Sequence, residues 1–414
     1  MSQIAPNRSF RGSIAVTAVA ALLCLLSTAG RAETALPTDE GAEEVLDEAW
    51  RVVGRHFYDA SFSGLDWTEV GRRYRALARE TSGGRPVHDL INRMLGELRA
   101  SHMVLIESEL YRNHVRTEHD DRKAILIGLE LVLLEESYFV ISVLQGGPAE
   151  RAGIRRGDRI VSVNETPLER SDRLLPAGSD PGLSVPHLFR ISAGRGAPVR
   201  LGIRRSNNSS TVEVREVLPE RTNQIEAMRK SVRVLEREGI RIGMIHLRHL
   251  MSPRVARILE EAMEDEWRDL DGLVVDLRGR GGSAGVAKRI LKVLGDLDLP
   301  VVGVIDEMTR SAKEIVAYRL RKDGIGTLVG ERTQGAVLAG NFHRLSDGSV
   351  LLIAVEDVSR LTDGVTLEGL GVEPDVWIED RIAYAGGEDR ILERAIEVVV
   401  ARTRGLPTRS RRFY

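Results

Sequence analysis

From residue 239 to about residue 380 the chain alternates short apolar runs with longer amphipathic ones, and this alternation limits the fold more than any other feature. "IGMIHL" (242–247) reads as a strand and "PRVARILEEAMEDEW" (253–267) as a helix. "GLVVDL" (272–277) and "AGVAKRILKVLG" (284–295) repeat the pair, as do "PVVGVI" (300–305) and "SAKEIVAYRLRKDG" (311–324). Strands joined by helices return parallel to one another, so an α/β core is expected. The second and third strands are almost unbroken apolar runs, as strands covered on both faces are. "DRILERAIEVVVAR" (389–402) adds a last amphipathic helix.

The regions before this core differ from it, so a multidomain α+β chain is expected. Residues 41–115 read as a helical domain. Val45, Leu46, Ala49, Trp50, Val53 and Phe57 form one apolar stripe, and Val87, Leu90, Ile91, Met94, Leu95 and Leu98 form another. Asp66 and Thr68 around Trp67 mark a helix start between them. Residues 122–220 carry short β-rich runs separated by glycine and polar turns. The core takes residues 221–400.

The first 32 residues have the parts of an export signal: Arg8 and Arg11, an apolar run at 14–26, and small residues for cleavage near Ala32. The run is short for a membrane span, so a cleaved signal and a periplasmic or extracellular location are expected. Cys24 is the single cysteine. After cleavage none would remain, which removes disulfides, thiol catalysis and cysteine-held metals. Net charge is −2, which gives no field for nucleic acid. Five arginines between residues 401 and 414 make a basic tail, read as a solvated end, with a peripheral membrane contact as the alternative.

Two stretches of the core can carry chemistry. Ser311 follows a buried strand and the turn "DEMTR" at the start of a helix, where helix N–H groups face whatever binds. It reads equally as a helix cap, because Ser311 and Glu314 have capping-box spacing. "DLRGRGG" (276–282) places glycines after a buried strand, leaving backbone N–H groups approachable, as an oxyanion hole requires. Residues 279–284 also fit a loose dinucleotide pattern with Asp306 as the acidic partner, the weaker reading. His102 follows the second helical stripe directly, at a helix exit, and is either a packed histidine or a base. Spacings for metal ligation or nucleotide phosphates do not occur, so neither metal nor cofactor is expected.

"GGPAERAGIRRGDRIVSVNETPL" (146–168) closely resembles a PDZ domain. In that family a "GLxL"-like loop, here Gly128, Leu129, Glu130 and Leu131, binds a peptide carboxylate and the peptide adds as a strand. Residues 171–194 read as an extra loop within it. The PDZ-like region followed by "GLVVDLRGRGG", "MTRSAKEI", "GERTQG" and "LEGLGVEPD" in this order resembles peptidase family S41, over roughly residues 41–400. The resemblance implies a core similar to the crotonase and Clp-protease folds. It places the nucleophile at Ser311 and oxyanion donors at Ala312 and at Gly281 or Gly282. The tail-specific branch uses a lysine 25 positions after the serine, where this chain has Ala336. The tricorn branch instead resembles it at Ser101 and His102 and at Glu368, which implies His102 as base with Ser101 and Glu368 in support. An exported serine endopeptidase acting on unfolded or C-terminally presented proteins follows. The rival is a catalytically inactive chain that binds peptides through its PDZ-like surface.

Overall fold

The computed structural model describes residues 39–81, 84–116, 121–177, 188–194 and 196–405. The export-signal expectation lies outside these residues.

Three helices open the described chain: α1 (Asp39–His56), α2 (Trp67–Ala78) and α3 (Arg85–Gly96). Asp66 starts α2 as expected, its carboxylate accepting the N–H groups of Thr68 and Glu69. The two apolar stripes pack together, with Trp50 at their margin. A short strand, β1 (Val104–Ile106), follows.

The PDZ-like region is a β domain containing β2 (Leu129–Leu134), β3 (Ser137–Val143), β4 (Arg159–Val163), β5 (Leu174–Pro176), β6 (Leu188–Ile191), β7 (Val199–Arg204) and β8 (Glu213–Val217). They pair in the order β8-β7-β4-β3-β2-β6-β5. Residues 171–194 are therefore not simply a loop: their described ends are two antiparallel strands, Leu174 facing Ile191. β-Branched and aromatic residues in "LFRI" suit a strand.

In the core, β9 (Arg233–Arg237) and β10 (Ile240–His246) are antiparallel. β10, β11 (Gly272–Asp276), β12 (Val301–Ile305) and β13 (Gly326–Gly330) then run parallel. The crossovers are α4 (Pro253–Glu264), α5 (Ala284–Gly295) and α6 (Ala312–Lys322). Leu273 and Val275 of β11 face these helices. Val274 points the other way, with Val302, Val304 and Val329, onto the last helix, α7 (Arg390–Gly405). Each strand thus buries both faces, the reason its sequence lacks polar alternation. The basic tail begins later than expected, because α7 runs through Arg402 and Arg404, and Arg404 pairs with Glu238. Arginines in a last helical turn oppose the negative end of the helix dipole.

Two more strands, β14 (Ala339–Arg344) and β15 (Val350–Glu356), form a hairpin that β1 joins, Val104 facing Leu352. Leu338, Leu345, Leu351 and Ile353 pack in one cluster with the helical stripes. The N-terminal helices thus share their core with the peptidase-like half of the sequence, which fixes where His102 sits.

Candidate active site

Ser311 stands between β12 and α6 with φ 57° and ψ −129°. An N-cap residue is ordinarily extended, and this region favours glycine, so a serine here costs about 1–3 kcal/mol. The constraint that holds it is visible. Its N–H donates to the carbonyl of Ala336 (2.9 Å) and to Glu314 Oε2 (3.0 Å). The capping-box expectation is half of Glu314's role: its buried carboxylate also accepts from Thr333 Oγ1 (2.6 Å) and from the N–H groups of Gly335 (2.7 Å) and Ala336 (2.8 Å). Ala336 is fully buried, with no side chain that could take a proton.

The glycine turn lies against the serine. A Cβ built on Gly281 would stand 2.3 Å from Ser311 Cβ and 2.9 Å from Ser311 Oγ. The turn is held from behind, since Leu250 N–H donates to the carbonyl of Gly281 (2.9 Å). Gly282 is pressed on Leu250 instead, a Cβ there meeting its carbonyl carbon at 2.1 Å. Of the two glycines, Gly281 is the one that faces the serine. Ala312 begins α6, and a first helical N–H has no partner within its own helix. Asp306 is buried at the wall of the cavity described below, and its Oδ1 accepts from Met308 N–H (2.9 Å) and Thr309 Oγ1 (3.2 Å).

His102 reaches the same cavity, of about 610 Å³, that Ser311, Gly281, Val104, Phe342 and Met308 line. It is buried, with φ 59°. Ser101 Oγ is 2.8 Å from His102 Nδ1 and 3.0 Å from Glu368 Oε2. A carboxylate only accepts, so the single serine proton goes to Glu368, and the hydroxyl oxygen accepts from Nδ1–H. That tautomer puts the ring's acceptor lone pair on Nε2, as a base requires. Glu368 is fixed by the N–H groups of Ser101 (2.8 Å) and Val337 (2.8 Å). Gly340 makes room for the ring, since a Cβ there would meet His102 Cβ and Cδ2 at 3.1 Å.

Behind the turn is a charged network that sequence reasoning did not find. Asp276, at the end of β11, accepts from Arg278 N–H (3.0 Å), Nε (3.0 Å) and an Nη (2.7 Å), and Arg278 also reaches Asp389. The carbonyl of Arg278 is approached by Lys313 Nζ (2.8 Å) and His246 Nε2 (3.2 Å). Two residues along a helix from Ser311, Lys313 points away from the serine and onto this carbonyl. No group of side chains suited to a metal occurs among the described residues.

Burial pushes the Asp306 carboxyl up to about 7, with Asp276 and Asp380 adding to the effect against Arg278 and Arg156. The native state then keeps a proton that the unfolded chain releases near pH 4, so stability falls as pH rises from about 4 to 7 and stays lower above. Asp306→Asn, which keeps the accepting oxygen, should raise the melting temperature by a few °C more at pH 8 than at pH 5. Equal shifts at both pH values in a calorimetric scan would contradict a buried, protonated Asp306.

The PDZ-like loop departs from expectation at its far end. Leu131 and Val132 pair with Val140 and Phe139 on one side and with Phe189 and Leu188 on the other. At Leu131 and Val132 that edge of β2 is occupied by β6, so a peptide strand could not pair there. Gly128 keeps φ +86° at the turn into β2, where Leu129 and Glu130 pair with β3. Burial opposes the charge of Glu130, but Arg190, Arg280 and Arg248 outweigh it and hold the carboxyl down at about 2.

Comparison with known proteins bears on the fold and on the kinds of domain present. The model of peptidase family S41 matches residues 291–378, that of the tricorn protease C1 domain residues 39–96, and that of the PDZ domain residues 139–174. The core of the chain carries a peptidase family S41 match. The chain is 27% identical over 397 residues to a tricorn protease homologue of Streptomyces coelicolor, covering 87% of this chain and 32% of the relative. It is 27% identical over 386 residues to the chloroplastic C-terminal processing peptidase of Tetradesmus obliquus, covering 84% and 80%. It therefore spans about a third of the tricorn relative's length. Among solved structures, the photosystem II D1 C-terminal processing protease aligns with a TM-score of 0.50 at 21% identity, over 84% of this chain and 98% of that one. Tricorn protease aligns with a TM-score of 0.50 at 20% identity, over 88% and 37%. These two share the fold.

Proposed function

We propose that this S41 peptidase is an exported serine endopeptidase that cuts unfolded or C-terminally presented protein chains, with Ser311 as nucleophile and His102 as base. One observation carries the assignment of the base: the hydrogen-bonded series Glu368–Ser101–His102 ends at the cavity that Ser311 also lines. His102 Nε2 takes the Ser311 hydroxyl proton as Oγ attacks the scissile carbonyl carbon. The N–H groups of Ala312 and Gly281 hold the resulting oxyanion. The imidazolium then gives its proton to the departing amine, leaving an acyl-enzyme on Ser311. Water, deprotonated by the same imidazole, releases the acid and restores the serine. Ser101 and Glu368 act through the imidazole, fixing its tautomer and stabilising its charge. The PDZ-like domain would gather substrate, with Gly128 and Leu129 as candidates for holding a peptide carboxylate.

The test is digestion of an unfolded protein by wild type and Ser311→Ala, with a serine-reactive phosphonate to label Ser311. Turnover in the wild type alone, with labelling of Ser311, supports the reading. Absence of both, with peptide binding retained, would establish an inactive peptide-binding chain instead. Sequencing the mature N-terminus from the native host tests export, which requires cleavage near residue 32. Glu368→Gln should lower kcat by roughly a hundredfold or more, because an amide can donate to Ser101 Oγ and so reverse the relay to the wrong imidazole tautomer. Unaltered kcat in that variant would remove Glu368 from the mechanism.

A further inference from the structure

We infer that Lys313 is a positioning residue for the oxyanion hole, bracing the 278–281 turn against the start of α6 so that its two N–H donors keep one fixed separation. The inference rests on the peptidase reading above and deepens it.

The two proposed donors come from different parts of the fold. Ala312 belongs to α6, whereas Gly281 belongs to the turn after β11. An oxyanion hole works only if both donors are in place before charge develops, so something has to tie turn to helix. Lys313 is the residue that does so. It is the second residue of α6, it is fully buried, and its Nζ donates to the carbonyl of Arg278 at 2.8 Å. A Cβ on Gly279, the next residue, would lie 3.7 Å from the same Nζ. The rest of the turn is already pinned: the Arg278 side chain by Asp276 and Asp389, and the Gly281 carbonyl by Leu250 N–H. His246 Nε2 also approaches the Arg278 carbonyl, at 3.2 Å.

Stability does not explain this lysine. A cation in the first turn faces the positive end of the helix dipole, and burying it costs solvation. Burial pulls the Lys313 amine down to about 7, with Asp276 and Asp306 opposing that fall and Arg248 adding to it. Charged or neutral, the amine retains an N–H for the carbonyl. Glu314, the next residue, braces the other side of Ser311 through Thr333, Gly335 and Ala336. Adjacent side chains on the first turn of α6 thus hold the two loops that flank the nucleophile.

The decisive comparison uses the full chain with Lys313→Met, which keeps length and loses the donor, and Lys313→Gln, which keeps an N–H. With a peptide substrate, kcat of Lys313→Met should fall roughly ten- to a hundredfold while KM changes less than about twofold. Affinity for a peptide aldehyde, whose adduct with Ser311 carries the oxyanion, should fall by the same factor. Affinity for the matching product peptide should not move, and Lys313→Gln should recover part of the loss. A merely structural lysine would instead change the melting temperature and both affinities together, and that result overturns the inference. Unaltered kcat in both variants also overturns it. If Lys313→Met fails to fold, Lys313→Gln carries the same comparison, the expected fall being smaller. A wild type without turnover and without phosphonate labelling at Ser311 defeats the peptidase reading itself, before any variant is made.

Discussion

His102→Ala should lower kcat/KM on an unfolded protein substrate by roughly ten-thousandfold or more, and slow phosphonate labelling of Ser311 in parallel. The expectation is large because the site offers little to replace the imidazole. Ala336 occupies the position from which a lysine would serve, and it is fully buried with its backbone engaged by Ser311 and Glu314. Lys313 is committed to the Arg278 carbonyl. Glu314 is close, but its carboxylate already accepts four hydrogen bonds from Ser311, Thr333, Gly335 and Ala336. Digestion by His102→Ala at more than a tenth of the wild-type rate would mean that another group takes the Ser311 proton. The fold should survive the substitution, since His102 contributes a polar edge to the cavity and not a large apolar surface, and circular dichroism would check this.

The second large effect is expected at Gly281. In Gly281→Ala the new methyl would overlap Ser311 Cβ at 2.3 Å and crowd Oγ at 2.9 Å. Either the serine or the turn must yield, and each movement damages attack or oxyanion binding. Losing one preorganised donor typically costs about 10²–10³ in kcat, and displacement of the nucleophile adds to that. The neighbour Gly282 makes an informative contrast. A methyl there meets the Leu250 backbone, so Gly282→Ala should show its effect first in thermal stability. Full kcat in Gly281→Ala would remove this glycine as donor and as neighbour of the nucleophile.

Much of this site could be read from the chain because strand ends and their turns are local. A buried apolar run followed by "RGRGG", or by "DEMTR" and a serine, places its polar groups where strands of a parallel sheet stop. Ser101, His102 and Glu368 needed more than locality. The family resemblance named them, and no spacing could have shown that Glu368 reaches back 267 positions to Ser101. What the sequence withheld is mostly depth. Lys313 lies wholly inside, its amine on the Arg278 carbonyl of the glycine turn, and nothing in the helical pattern marks it as buried. His246 showed nothing more than a strand end, although its ring reaches the same carbonyl. The β6 strand against β2 was also hidden. "PHLFRIS" is short, and its partner could be identified only once the sheet order was known. The positive φ of Ser311 left no sign either, since serine is an ordinary choice for a helix cap and this conformation is not the ordinary one for a cap.

The joining of β1 to the β14–β15 hairpin has a consequence for when the enzyme could first act. A ribosome delivers the proposed base, His102, early and the proposed nucleophile, Ser311, some two hundred positions later. The strand that carries the base to its place cannot dock until Val350–Glu356 has emerged and folded. Glu368, which accepts from Ser101 beside that histidine, arrives later still. A chain that ends short of Glu368 therefore holds the proposed catalytic residues without their alignment, and the growing polypeptide is spared from them until that residue has emerged.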